Sequence, residues 1–428
     1  MRERCTINHT PCRWVRSVPA RTDQSPTKNV ILVGVRILSC YTRNERSHTP
    51  RHTKGHHMNT RMSSWLALPL LLLTGCPSGG GGDGGFGNGG GISSRIAYVA
   101  NSGSNNVSGY MIATTGALTT IGGSPFSGVT APSAVTVSVN GSFVYVTNHG
   151  GANSVSAFTV NSTTGALTPV AGSPFVAGTT PNAVTVSPNG NFLYVANGGG
   201  NVSAYTITAS TGVLTPVAGS PFVAGTTPNA VTISPNGNFL YVANGGGDVS
   251  AYTITAGTGV LTPVAGSPFP AATTPNAVIV SPNGNFLYVA NSGGNVSAYT
   301  ITAGTGALTP AAGSPFAAGT TPNAVTVSPN GNFLYVTNGS SDNVSMFTID
   351  GATGALTSPA TIAAGTSPSG VSIEPSGLFL YVANGGSNNV SAYTITAGTG
   401  ALTPVSGTLG NPFPAGTTPS GIATPGRP

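Results

Sequence analysis

From Ile92 to the C-terminus the chain carries very few groups able to move a proton. They are one histidine, His149, the carboxylic acids Asp248, Asp342, Asp350 and Glu374, and the two arginines Arg95 and Arg427. Hydrolytic chemistry needs a positioned base or a metal-activated water. One histidine does not make a multi-histidine zinc site, and no carboxylate pair stands out. The cysteines, Cys5, Cys12, Cys40 and Cys76, all lie upstream, so no disulfide staples this stretch. The ionisable residues therefore name no catalytic residue, no metal site and no cofactor.

Uncharged polar residues are more informative, because they recur. Ser133, Asn182, Asn229, Asn276, Asn323, Ser369 and Ser420 each follow a proline at the start of a repeated unit. What they can do depends on where the repeat puts them.

The repeat is marked by FLYVAN, at Phe192 to Asn197, Phe239 to Asn244, Phe286 to Asn291 and Phe379 to Asn384. Near copies stand at Ile96 to Asn101, Phe143 to Asn148 and Phe333 to Asn338. The terminal asparagines fall 46 to 49 residues apart, and seven copies at one period mean a repeat architecture. Within one unit, Ala183 to Ser187 alternates and is β-branched, which reads as a strand. Pro188, Asn189 and Gly190 supply a turn. Phe192 to Ala196 is apolar on consecutive positions, so both of its faces are covered. Val202 to Thr208 and Val213 to Val217 make a third and a fourth strand, and Pro216 puts the fourth at an edge.

Four antiparallel strands per unit, covered on both sides by neighbouring units, predict an all-β, seven-bladed β-propeller, with a β-solenoid as the runner-up. The first unit lacks its opening strand, and the chain ends on Thr418 to Thr424 (TPSGIAT), which matches that missing element. The C-terminal strand is thus expected to complete the first blade in a 3+1 closure.

On this fold the second-to-third strand turns share a face with the start of each innermost strand. That face should carry the seven Ser and Asn residues as a ring around the channel mouth. Amides and hydroxyls can donate to and accept from a neutral polar ligand. Alternatively they satisfy backbone groups at the strand starts. His149, Asp248 and Asp342 fall in turns of the same face but in blades two, four and six, whereas Asp350 and Glu374 belong to the opposite face. Asn106, Asn201, Asn295, Asn343 and Asn389 fit a glycosylation sequon and read as turn exits into the third strand.

The YVAN and YVTN segments with their proline-led first strands resemble the YVTN propeller repeat. They also resemble the seven-bladed lactonase family that includes 6-phosphogluconolactonase-like proteins. The resemblance covers Ile96 to Thr424 and implies lactone hydrolysis. Members of that family often place a histidine just after the proline; here the position holds Asn or Ser in all seven units.

Upstream, Met58 opens a short basic and then apolar run, Trp65 to Leu73, ending in Leu73-Thr74-Gly75-Cys76. Nine apolar residues are too few to span a hydrocarbon core, which takes about 20. Residues 58–75 read as an export signal. LTGC resembles the lipobox of bacterial lipoproteins, which implies lipidation of Cys76. Pro77 follows in place of an inner-membrane retention aspartate, which favours the outer membrane. Residues 76–91 form a glycine-rich tether, and its Gly85, Gly87 and Gly90 match a dinucleotide fingerprint without the strand and helix that motif needs. Residues 1–57 read as a mis-assigned upstream extension or a disordered segment. Their His48, His52, His56 and His57 are interrupted by Pro50 and Gly55 and do not form a helical metal site.

Residues 1–57 also hold eleven of the fourteen Lys and Arg, whereas residues 92–428 carry a net charge of −2 and no lysine. A basic phosphate-binding footprint is absent from the propeller, which excludes nucleic acid as partner. The sequence favours a monomeric, lipid-anchored extracytoplasmic module that binds a neutral polar ligand, a glycan or an envelope protein without catalysis. Its alternatives are a lactonase-family hydrolase of a cyclic ester and a structural surface repeat protein.

Overall fold

The computed structural model describes residues 95–428, apart from 152, 358–359, 407–410 and 426–428. Cys76, the apolar run before it and the upstream histidines lie outside the described residues. Every regular element described is a β-strand, and the strands form seven antiparallel sheets. The expected seven-bladed propeller is what the chain adopts.

Blade three shows the plan. Its strands, from the channel outwards, are Pro181–Val186, Phe192–Asn197, Asn201–Ile207 and Leu214–Pro216. The inner strands of successive blades lie side by side in a closed circle. Blade one is completed by Pro419–Ala423, which pairs antiparallel with Ile96–Asn101, so the C-terminal strand closes the ring.

Alternation along FLYVAN explains why both faces of the second strand are apolar. Phe192, Tyr194 and Ala196 enter a core shared with blade four, while Leu193 and Val195 enter one shared with blade two. Seven such cores follow, one at each joint. Each blade is thus stable through its neighbours, as expected of a unit whose sheet is apolar on both faces. At roughly 25 cal/mol per Å² of apolar surface, burying a Leu or Phe side chain contributes about 1.5–3 kcal/mol.

A second belt is polar. Tyr145 donates its hydroxyl to the Gly212 carbonyl of the next blade at 3.2 Å, and the same bond recurs from Tyr98, Tyr194, Tyr241, Tyr288, Tyr335 and Tyr381. Gly212 has a φ of +74°, and a Cβ there would stand 2.4 Å from the Phe143 ring. Glycine is required on both counts.

The outer strand differs from its expected form. In five blades two short segments share the edge position. In blade three Leu214–Pro216 pairs with Tyr205 to Ile207, and Phe222–Val223 pairs with Asn201 and Val202. Between them the Ser220 hydroxyl accepts from the backbone N–H of Ala204 at 2.9 Å. The side chain replaces the ladder bond that the interrupted strand cannot offer. In blade six the edge is formed by the strand Ala360–Ala363 and a separate bridge between Ile349 and Leu356.

Candidate functional site

Each ring residue stands at the same irregularity. In blade three Ala196 pairs with Ala183 but Asn197 pairs with Pro181, so Asn182 is bulged out of the ladder. The matching register shift releases Ser133, Asn229, Asn276, Asn323, Ser369 and Ser420. A bulge re-aims a side chain that the pleat would otherwise fix. The residue before each ring proline is also unusual: Ala131, Thr180, Thr227, Thr274, Thr321, Ser367 and Thr418 all have φ between +39° and +56°. Non-glycine residues in this region are uncommon, and each costs on the order of 1–3 kcal/mol unless its surroundings hold it. In four blades a side chain from the facing turn does so. Asn105, Asn153, Asp342 and Asn388 each accept from the backbone N–H of one of these residues, at 2.6 to 3.0 Å.

The ring side chains donate across the joints. Asn182, Asn229, Asn276 and Asn323 give their Nδ2 hydrogens to Pro228, Pro275, Pro322 and Pro368 oxygens at 2.9 to 3.1 Å. Ser133, Ser369 and Ser420 donate to Pro181, Pro419 and Pro132 oxygens at 2.6 Å. Every blade is therefore stitched to the next around the full circle. All seven ring residues stay half-buried.

The ionisable residues are not brought together. Asp342 caps Ser367, and Asp248 accepts from the side-chain amide of Asn244 at 2.6 Å. Asp350, in a turn of the opposite face, accepts from Thr353 and Ala352, which holds its carboxyl below the usual range. Glu374 is buried and accepts from Ser376, Leu378 and Phe379, so its carboxylate is occupied within its own turn. Arg95, Thr114, Glu374 and Phe379 line a cavity of about 340 Å³ at the joint of blades seven and one, on the face away from the ring. Among the described residues no group of three or more His, Cys, Asp or Glu could hold a metal.

His149 is the exception. It is exposed in the second-to-third strand turn of blade two, and its Nδ1 lies 3.2 Å from Asn182 Oδ1 of blade three. Sequence position put the two on one face; their contact across a joint could not be read without the curvature of the ring. The sequon asparagines act structurally: Asn201 Oδ1, for example, accepts from the Asn197 amide at 2.8 Å.

The sequence profile of the family "Lactonase, 7-bladed beta-propeller" matches residues 41–227, 218–321 and 309–415. No curated protein matches the chain. Among solved structures, the chain is similar to a 6-phosphogluconolactonase candidate from Bacteroides uniformis, at 20% identity over 77% of this chain and 99% of that one, with a TM-score of 0.67. A second such candidate, from Bacteroides fragilis, is 23% identical over 77% and 97%, with a TM-score of 0.66. A periplasmic gluconolactonase from Pseudomonas aeruginosa is 22% identical over 77% and 98%, with a TM-score of 0.64. Identities this low carry the fold alone, and the function must be argued from the site. With the profile matched over most of its length and seven closed blades, the chain belongs to the seven-bladed β-propeller lactonase family.

Proposed function

We propose that the protein hydrolyses a neutral, polyhydroxylated cyclic ester at the channel mouth. The family match carries this reading. The chemistry of the mouth selects the substrate class. Its ring offers amides and hydroxyls only, and Arg95 is the sole described cation, at the far end of its blade. A phosphorylated lactone would meet no compensating charge there, whereas sugar hydroxyls would meet matched acceptors and donors. Ser133, Asn182, Asn229, Asn276, Asn323, Ser369 and Ser420 form the binding ring in this proposal. Cys76 carries a lipid anchor that holds the propeller outside the cell membrane, the outer membrane being the favoured site. The test is hydrolysis of glucono-δ-lactone and 6-phosphogluconolactone by the full chain. Faster turnover of the neutral ester is expected; no turnover of either would remove the reading.

A second reading is favoured by the engagement of all seven ring side chains across the joints. Here the propeller is a non-catalytic binding or scaffold module for a glycan or an envelope protein. A glycan array separates the two: retention of neutral glycans without lactone turnover supports the second.

A further inference from the structure

The hydrogen bonds around Asn182 fix the chemistry of His149. The Pro228 carbonyl can only accept, so the Asn182 group facing it at 3.0 Å must be the amide nitrogen. The Asn182 oxygen is then the atom that faces His149 Nδ1 at 3.2 Å. An amide oxygen also only accepts, so Nδ1 carries the ring proton and Nε2 keeps its lone pair. The backbone holds the ring in place too, since His149 N–H donates to the Ala131 carbonyl at 3.2 Å. The residues that meet His149 are uncharged, and the other ionisable groups of this face, Asp248 and Asp342, belong to blades four and six.

We propose that His149 is the general base of the hydrolysis and that Asn182 is its positioning residue. This assignment rests on the cyclic-ester reading above. Nε2 takes a proton from water as the water oxygen bonds to the ester carbonyl carbon. The tetrahedral intermediate then breaks its bond to the ring oxygen, and that oxygen takes the proton back from Nε2. One water is added, the ring opens to a hydroxy acid, and His149 is regenerated. No metal or second carboxylate is needed for the balance. The chain from Ile92 onward holds no other histidine.

The experiment compares the full chain with His149→Ala, His149→Gln, Asn182→Ala and Asn229→Ala on glucono-δ-lactone across pH 5 to 9. For the wild type, kcat/KM should fall on the acid side of the profile, as it must where the reaction needs one unprotonated base. Both His149 variants should lose roughly 10²–10⁴-fold in kcat and lose the acidic limb. Asn182→Ala should lower kcat more than it alters KM, and ¹⁵N spectra of its imidazole should show Nδ1 no longer the sole protonated nitrogen. Asn229→Ala breaks the equivalent cross-joint bond to Pro275 but should keep the acidic limb. A wild type with no turnover would remove the hydrolase reading and this assignment with it. Turnover that persists at the wild-type rate in His149→Ala would remove the assignment alone.

Discussion

The hydroxyl of Ser420 donates to the carbonyl oxygen of Pro132 at 2.6 Å, joining residues 288 positions apart in the chain. Ser420 belongs to the strand that completes blade one, and Pro132 opens blade two. The last strand is therefore held by its ladder to Ile96–Asn101 and by a ring bond on each side, from Ser369 to Pro419 and from Ser420 to Pro132.

Removal of residues 418–428 strips blade one of its inner strand and bares the edge of Ile96–Asn101. Calorimetry should show Tm lowered by more than roughly 10 °C. Ser420→Ala removes a single bond worth about 1 kcal/mol, which corresponds to roughly 2–4 °C in a domain of about 150–250 residues. An unchanged Tm in the truncated chain would argue that the ring stays shut without its final strand.

Two glycines separate conformational need from mere occurrence. Gly212→Ala places a Cβ 2.4 Å from the Phe143 ring at a φ of +74°. The loss should be about 1–3 kcal/mol by denaturant titration. Gly257 has open space around its Cβ position and no positive φ. Gly257→Ala should be neutral, or stabilising by about 0.4–1 kcal/mol. Equal effects of the two changes would contradict the packing described at the tyrosine belt.

Alkali should act through the same belt. Burial pushes up the hydroxyls of Tyr98, Tyr145, Tyr194, Tyr241, Tyr288, Tyr335 and Tyr381. The unfolded chain ionises near 10, while the folded state keeps these protons. Their stabilisation is therefore complete below about pH 10 and is lost as pH rises from there towards the folded values. Tm measured from pH 8 to 11.5 should be flat and then fall steeply, with tyrosinate absorbance appearing at the unfolding step. Gradual ionisation near 10 with no change in Tm would show the hydroxyls to be open to solvent.

Glu374 tests a local substitution of one turn for another. In blade three Ser187 accepts from Phe192 N–H and donates to Asn189 Oδ1, which accepts from Asn191 N–H. In blade seven the Glu374 carboxylate accepts from Leu378 and Phe379 N–H, and the Ser376 hydroxyl is a second, longer acceptor for Leu378 at 3.4 Å. Glu374→Ala should cost about 1–3 kcal/mol by removing the charged acceptor of the part-buried Ser376, Leu378 and Phe379 N–H bonds. Adding Ser376→Asn to Glu374→Ser should restore most of that loss in a denaturant titration. Failure of the double change to recover stability would mean the two turns are not interchangeable.

Most of the fold could be read from FLYVAN and its turns, because strand alternation and proline-led turns are local properties. The closing strand was legible for the same reason, since Thr418 to Thr424 repeats a local pattern. The split outer edge was not, although Gly-Ser-Pro-Phe recurs at Gly172 to Phe175 and Gly219 to Phe222. Its serine satisfies a strand three residues wide of the expected pairing, and that role depends on tertiary placement. The ring positions were predictable, but their donation to the next blade was not, because the accepting carbonyl lies 45 to 50 residues away, and 288 away at the closure. The proximity of His149 to Asn182 is of this second kind.

The cross-blade stitch has a consequence for how such a chain can change over time. Each unit brings one donor, at its ring position, and one acceptor, at the proline just before it. Asn182, Asn229, Asn276 and Asn323 repeat at an interval of 47 residues with the same bond each time. Any in-frame duplication or loss of one such interval leaves compatible ends on both sides of the scar. What limits the family of possible descendants is then circumference, the angle each sheet subtends, rather than the chemistry of the seams.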